Sequence, residues 1–165
     1  RRHTRFRNVT GVQTCALPIC QMKIEVIKLN PEAIVPTYAH ETDAGADLYA
    51  IKNVTIYAKE KAVIETGIAI NIPQGYVGFI TPRSGLALNK SLTVLNSPGT
   101  IDSGYQGEIK VILLNTDPWK EKYIKKNDRI AQIVFQKIEK AEFLLSENFN
   151  NESNRSDNGF GSTGN

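Results

Sequence analysis

Side chains that bind metals or carry redox chemistry are scarce in this chain. Its 165 residues include two histidines, His3 and His40, and two cysteines, Cys15 and Cys20. Both cysteines fall in GVQTCALPIC, with no second ligand pair to complete a zinc site. A long apolar leader is also missing. A secretory signal needs roughly seven to fifteen continuous apolar residues. The run behind the basic opening is Ala16-Leu17-Pro18-Ile19, broken by a proline, and Ile19 occupies the place where a lipoprotein box wants a small residue. The expected location is therefore intracellular, in the cytoplasm. A strong charge of one sign is lacking too. The net charge of +3 rests on Arg1, Arg2, Arg5 and Arg7, which have no acidic partner among the first 21 residues. Removing those four of the 20 basic residues leaves 16 against 17 acidic ones, a net −1. Such a body offers no footprint for nucleic acid or an anionic membrane, and neither is an expected partner.

Residues 1–21 stand apart from the rest. Positions 10–20 resemble the in-frame translation of sequencing-library adapter DNA, and Met22, the single methionine, begins MKIEVIKLN in the manner of a native start. The expectation is a non-native or unordered extension that contributes nothing to activity.

What remains is one domain's worth of chain, 41% hydrophobic and 22% charged. From Lys23 onward, short β-rich runs alternate with turn clusters, which predicts a sandwich or barrel. The predicted strands are KIEVIKL, NVTIYA, KAVIETGIAINI, YVGFITPR, LTVLN, EIKVILLN and RIAQIVFQKIE, separated by PQG, NSPG, DSGYQG, TDPW and KKND. In GIAINIP, Ile68, Ile70 and Ile72 share a face while Ala69 and Asn71 point away. EIKVILLN is apolar on both faces, with Ile109, Val111 and Leu113 on one side and Ile112 and Leu114 on the other, so it is buried between layers or between subunits. Helical character is confined to short stretches such as LALNKS, after PRSG. The domain runs over 22–145. The polar, glycine-rich segment 146–165 has only Phe149 and Phe160 as large apolar residues, and is expected to be a flexible arm.

Five segments carry chemistry: AGADLYA at 44–50, PRSGLAL at 82–88, VLNSPGTIDSGYQGEIK at 94–110, RIAQIVF at 129–135 and NGFGSTG at 158–164. In this order and spacing they resemble the trimeric deoxyuridine triphosphatase (dUTPase) family across nearly everything from Met22 on. The resemblance implies an all-β, jelly-roll-like subunit, assembly as a homotrimer with shared active sites, and a C-terminal arm exchanged between subunits. It also implies hydrolysis of dUTP to dUMP and pyrophosphate, which keeps uracil out of DNA and supplies the precursor of thymidylate.

The residue chemistry fits a triphosphate independently. Hydrolysing one requires cations, hydrogen-bond donors and a carboxylate to orient water. Arg83, Arg129 and Arg155 lie in or beside separate motifs, and Ser84, Ser162 and Thr163 add hydroxyls. Taken singly, each arginine is more simply a surface charge or an ion pair; their placement in glycine-containing turns favours the phosphate role. Asp102, in a DSG turn, would by default cap its own backbone. The resemblance makes it the catalytic residue that holds the attacking water, which an ionised carboxylate can polarise without a histidine.

The resemblance also assigns substrate contacts. Tyr105 packs on the deoxyribose and excludes a 2′-hydroxyl, and Asn96, Gly99 and Ile101 read uracil on a hairpin too tight for a 5-methyl group. Asn96 is equally suited to stabilising its own NSPG turn. Ser84, with Gly85 beside it, and Gln132 contact the phosphates, as does Arg83. Phe160, followed by Gly161, stacks over uracil when the arm closes, while Arg155, Ser162 and Thr163 meet the γ-phosphate. Ser156 and Asp157 depart from the glycine that commonly follows the arginine, and an added acid there would weaken closure. Mg2+ arrives with the substrate, held by phosphates and water. Asp47 matches a position that reaches the metal through water, or is a buried partner for Arg129. Two alternatives remain: a dCTP deaminase-like enzyme of the same fold, and a non-catalytic regulatory binding protein.

Overall fold

The structure, a computed structural model, describes residues 22–148. Residues 1–21, and 149–165 of the expected arm, lie outside the described residues. Eleven strands and one short helix make up the described chain: β1 (Glu25–Lys28), β2 (Gly45–Tyr49), β3 (Val54–Ile56), β4 (Lys61–Glu65), β5 (Ile68–Asn71), β6 (Tyr76–Thr81), α1 (Ser84–Lys90), β7 (Leu92–Val94), β8 (Gly99–Ile101), β9 (Lys110–Asn115), β10 (Lys122–Ile124) and β11 (Arg129–Lys137). All strand pairings are antiparallel, in the orders β2-β11-β6-β8, β4-β9-β7, β1-β5 and β10-β3. This is the all-β architecture expected, with the helix where LALNKS falls. Among the described residues no helix is long and apolar enough to cross a membrane.

The core between the sheets is dominated by isoleucine: Ile56, Ile64, Ile68, Ile70, Ile72, Ile109, Ile124, Ile130 and Ile133 are each no more than 2% exposed. β-branched side chains suit pleated surfaces, and each such burial contributes roughly 1.5–3 kcal/mol. Ile68, Ile70 and Ile72 share the core face as expected. Ala69 departs from expectation: it points the other way, opposite Ile27 of β1 in the register, yet is only 6% exposed. Asn71 is exposed and donates to Glu25 Oε2 at 2.8 Å.

KAVIETGIAINI is two strands, not one. Gly67, at φ +70°, turns the chain so that β4 joins β9 while β5 joins β1. Residues with a Cβ disfavour that backbone, and here one would also press within 3.1 Å of Ala33 Cβ.

The TDPW turn is organised by two side chains. Buried Asn115 donates its amide to the carbonyls of Ile56, Tyr57 and Lys120, and its Oδ1 accepts from Asp117 N–H. Asp117 binds the Lys122 ammonium at 2.6 Å and accepts from the N–H groups of Trp119 and Lys120. The Lys122 contact, followed by these backbone donors, lowers the carboxyl from 3.8 to about 2. A lowered folded-state pKa stabilises the fold above the ordinary value, and that contribution disappears as pH falls through the folded one. The melting-temperature gap between the wild type and Asp117→Asn is therefore expected to be full at pH 6 and to close between about pH 4 and pH 2. A thermal-melt series across that range would refute the assignment if the gap did not change.

Candidate active site

The first half of the site forms where β2, β11 and β6 run side by side. Gln132 of β11 stands opposite both Asp47 of β2 and Thr81 of β6. Arg129 would face the core in an unbroken register. A bulge between Arg129 and Ala131 instead sets Arg129 opposite Tyr49, on the same face as Asp47 and Gln132. The short helix α1 begins just after Arg83, whose carbonyl accepts from the N–H groups of Leu86 and Ala87.

These elements converge on one carboxylate. Asp47, 5% exposed, receives Arg83 Nε on Oδ1 at 2.7 Å and Arg129 Nη1 on Oδ2 at 3.3 Å. Buried charge persists where it is paired and hydrogen-bonded, and this pairing fixes the direction of both guanidinium groups. The ion-pair role for Asp47 is the one the geometry brings out, and both its oxygens are engaged. Gln132 Nε2 donates to Pro82 O at 3.3 Å. A pocket of about 230 Å³ opens among Asp43, Gly45, Asp47, Arg83, Ser84, Gly85 and Gln132. Ser84 and Gly85 are exposed at its rim.

The second half is the hairpin after β8. Asp102, Ser103, Gly104 and Tyr105 form a turn closed by Tyr105 N–H donating to Asp102 O at 3.2 Å, with Gly104 at φ +90°. Asp102 is exposed, and among the described residues its carboxylate has no hydrogen-bond or ion-pair partner. Tyr105, 45% exposed, packs the hydroxyl end of its ring against Gly107 and donates its hydroxyl to Glu108 O at 3.1 Å. Thr100, Ile101, Asp102, Tyr105, Glu108 and Lys110 line a cavity of about 210 Å³. Asn96 and Gly99 stand at the start of β8; a Cβ on Gly99 would press within 3.1 Å of Asn96 Nδ2 and 3.3 Å of Ile80 Cβ.

One chain does not bring the two halves together. Ile101 pairs with Gly78 and Gly99 with Ile80, so β8 runs away from the end of β6 that leads to Arg83. Asp102 follows the residue paired with Gly78, while Arg83 lies five residues beyond Gly78 in the opposite direction, so continuing the register separates the two by roughly 20 Å of extended chain. Arg155, Phe160, Gly161, Ser162 and Thr163 lie outside the described residues.

Three contributors were not singled out from sequence. Gly45 leaves room for Gln132: a Cβ there would sit 2.6 Å from its Oε1 and push the amide out of its present position. Gly107 must be small, because a Cβ would sit 2.6 Å from Tyr105 Cζ. Asp43, whose Oδ2 accepts from His40 N–H, adds a second carboxylate to the Arg83 pocket. Both glycines lie inside motif segments, so a signal for them existed; Asp43 sits one residue before its segment. Among the described residues, no group of three or more His, Cys, Asp or Glu side chains stands close enough to hold a metal.

Comparisons with known proteins agree with one another. A family model described as dUTPase matches residues 31–164. A deoxyuridine 5'-triphosphate nucleotidohydrolase from Thermobifida fusca is 50% identical over 143 residues, covering 87% of this chain and 79% of its own length. A protein of the same name from Mycobacterium leprae is 43% identical over 145 residues, covering 86% and 94%. Among solved structures, the Staphylococcus bacteriophage 80alpha dUTPase with dUpNHpp superposes with a TM-score of 0.82 at 32% identity, covering 87% of this chain and 99% of that one. A variant dUTPase from phage phi11 of S. aureus, described in terms of a structural Mg(II) ion, superposes with a TM-score of 0.73 at 29% identity, covering 78% and 99%.

Proposed function

The chain belongs to the dUTPase family and hydrolyses dUTP to dUMP and pyrophosphate, and we propose that water held by Asp102 attacks the α-phosphorus. The observation that carries the site assignment is the convergence of Arg83, Ser84 and Gln132 around the buried Asp47 carboxylate, in a pocket with cationic and hydroxyl donors on its walls. Such a pocket binds phosphate oxygens and stabilises the charge that grows on the leaving pyrophosphate.

The division of the site supports a shared assembly. Ser84 and Asp102 serve the same phosphate in this reading, yet roughly 20 Å of β6 separates their ends within one chain. Each site therefore takes the Arg83–Ser84–Gln132 pocket from one subunit and the Asp102–Tyr105 hairpin from another, in a homotrimer. Phe143, Leu144 and Leu145, each at least 80% exposed, precede the arm. An apolar segment left bare in one chain fits an arm that crosses to a neighbour. There Phe160 and Gly161 would cover uracil, with Arg155, Ser162 and Thr163 on the γ-phosphate.

Tyr105 serves as the sugar platform, its ring held by the Glu108 carbonyl and by the absence of a side chain on Gly107. Asn96, Gly99 and Ile101 read the base at the hairpin's start. Magnesium fits a site of this kind as a passenger of the triphosphate: the carboxylate of Asp43 lines the pocket and suits its water shell, Asp47 being taken up by the two arginines, while phosphate oxygens would supply the direct ligands. When bound, the metal would neutralise charge on the phosphate chain. The work belongs in the cytoplasm, where the nucleotide pool is held.

The experiment is a nucleotide panel with Mg2+, following pyrophosphate and ammonia from dUTP, dCTP, dTTP and UTP. Pyrophosphate from dUTP is expected to exceed that from the others by about 10²-fold or more, with no ammonia. Ammonia from dCTP would point to a deaminase, and binding without turnover to a regulatory protein.

A further inference from the structure

Packing alone does not fix the ring of Tyr105, which is nearly half exposed. Its tether is the hydrogen bond from its hydroxyl to Glu108 O. The place of that carbonyl is set in turn by a strap between residues 108–109 and the turn at 66–68. Glu108 Oε1 accepts from Gly67 N–H at 2.9 Å, Ile109 N–H donates to Ile68 O at 2.8 Å, and Thr66 Oγ1 donates to Ile109 O at 2.6 Å. The turn is itself anchored, because Gly67 O accepts from the N–H groups of Leu29 and Asn30 and Ile68 is fully buried. Two of the three strap bonds fall on Ile109. The third acts on residue 108 through its own side chain, which is 21% exposed. Its Oε2 lies 3.3 Å from Lys110 Nζ, so both carboxylate oxygens are engaged.

The geometry points to Glu108 as a positioning residue for sugar discrimination: by clasping Gly67 N–H, its carboxylate fixes the carbonyl that holds the Tyr105 ring in place. The inference rests on the reading of Tyr105 as the sugar platform. A ring packed against a deoxyribose rejects an added 2′-hydroxyl only while the ring cannot yield. Losing the carboxylate leaves the half-buried Gly67 N–H without its acceptor and frees residue 108 to shift, and the ring shifts with it. Asp102 is touched less, because its turn is closed by Tyr105 N–H and by Gly104. The effect therefore falls on substrate choice and KM more than on the chemical step.

The test compares kcat and KM on dUTP and UTP, by pyrophosphate release, for the wild type, Glu108→Ala, Glu108→Gln, Tyr105→Phe, Tyr105→Ala and the double variant Tyr105→Phe/Glu108→Ala. Circular dichroism checks folding. Glu108→Ala is expected to lower the kcat/KM preference for dUTP over UTP by about tenfold, through KM, with kcat on dUTP changed by no more than about twofold. Glu108→Gln still offers Oε1 to Gly67 N–H and should keep the preference within about threefold of wild type. Tyr105→Phe removes the tether from a half-exposed ring without touching the core, and should lower the preference as Glu108→Ala does. The double variant should be no worse than either single change, since both break one chain of contacts. A side chain that only stabilised the fold would slow both nucleotides alike and leave the preference unchanged, and that result overturns the inference. So does a loss in Glu108→Gln equal to that in Glu108→Ala, an unchanged preference in Tyr105→Phe, or single effects that add. Should Glu108→Ala not fold, Glu108→Gln and Tyr105→Phe decide. Tyr105→Ala separates the inference from the reading beneath it. Preference kept there removes the sugar platform and the inference together, whereas preference lost there and kept in Glu108→Ala removes the inference alone.

Discussion

Changing Asp102 to asparagine is expected to slow pyrophosphate release from dUTP by about 10³-fold while dUTP binding survives. A positioned general base contributes roughly 10²–10⁴ in rate, and asparagine keeps the shape of the side chain but cannot accept the water's proton. The substitution should leave the fold intact. Among the described residues the carboxylate has no partner to lose, and the turn is closed by its backbone carbonyl and by Gly104. Single-turnover kinetics beside equilibrium titration with a non-hydrolysable dUTP analogue separates the two effects. An unchanged rate would remove Asp102 from the mechanism, and lost binding would make it a substrate ligand instead.

The second large effect is expected at Asp47, where stability and activity should fall together. Asp47→Asn leaves Arg83 and Arg129 facing each other without the anion that holds them at 2.7 and 3.3 Å. Breaking a fully buried pair costs about 3–5 kcal/mol. The Arg83 and Arg129 side chains are 25% and 48% exposed, so water screens part of that loss and about 2 kcal/mol is the expected figure. Turnover should drop by about 10²-fold as the guanidinium loses its aim at the phosphates. Urea unfolding measures the first effect and kcat with KM the second. Wild-type stability with wild-type kcat would show that the pair positions nothing.

Much of this fold could be read locally, and the parts that could not share a cause. β4, β6, β9 and β11 announce themselves because their own residues are apolar and β-branched. β2, β8 and β10 are short and hold glycine, aspartate or lysine, and they exist through their partners: β2 on β11, β8 on β6, β10 on β3. The two-faced pattern of Ile112 and Leu114 was legible as burial on both sides, though not which surface would cover the second.

The site divides the same way. Its residue types were visible as motifs, because phosphate chemistry restricts what can stand there. The joining of Asp47 to both arginines was not, since it depends on one bulged residue in β11. Nor was the distance between Asp102 and Arg83, which is set by the register of β8 on β6 and by nothing in either motif.

That distance makes the shared site the central claim, and subunit mixing tests it most directly. Arg83→Gln and Asp102→Asn chains are prepared separately, then combined in equal amounts by unfolding and refolding together. Each alone should release almost no pyrophosphate from dUTP. In the mixture, some sites pair an intact Arg83 from one chain with an intact Asp102 from another, and activity should return to about a quarter of wild type for random assembly. A mixture as inactive as its parents would contradict the account, because it would mean that each site is completed within one chain.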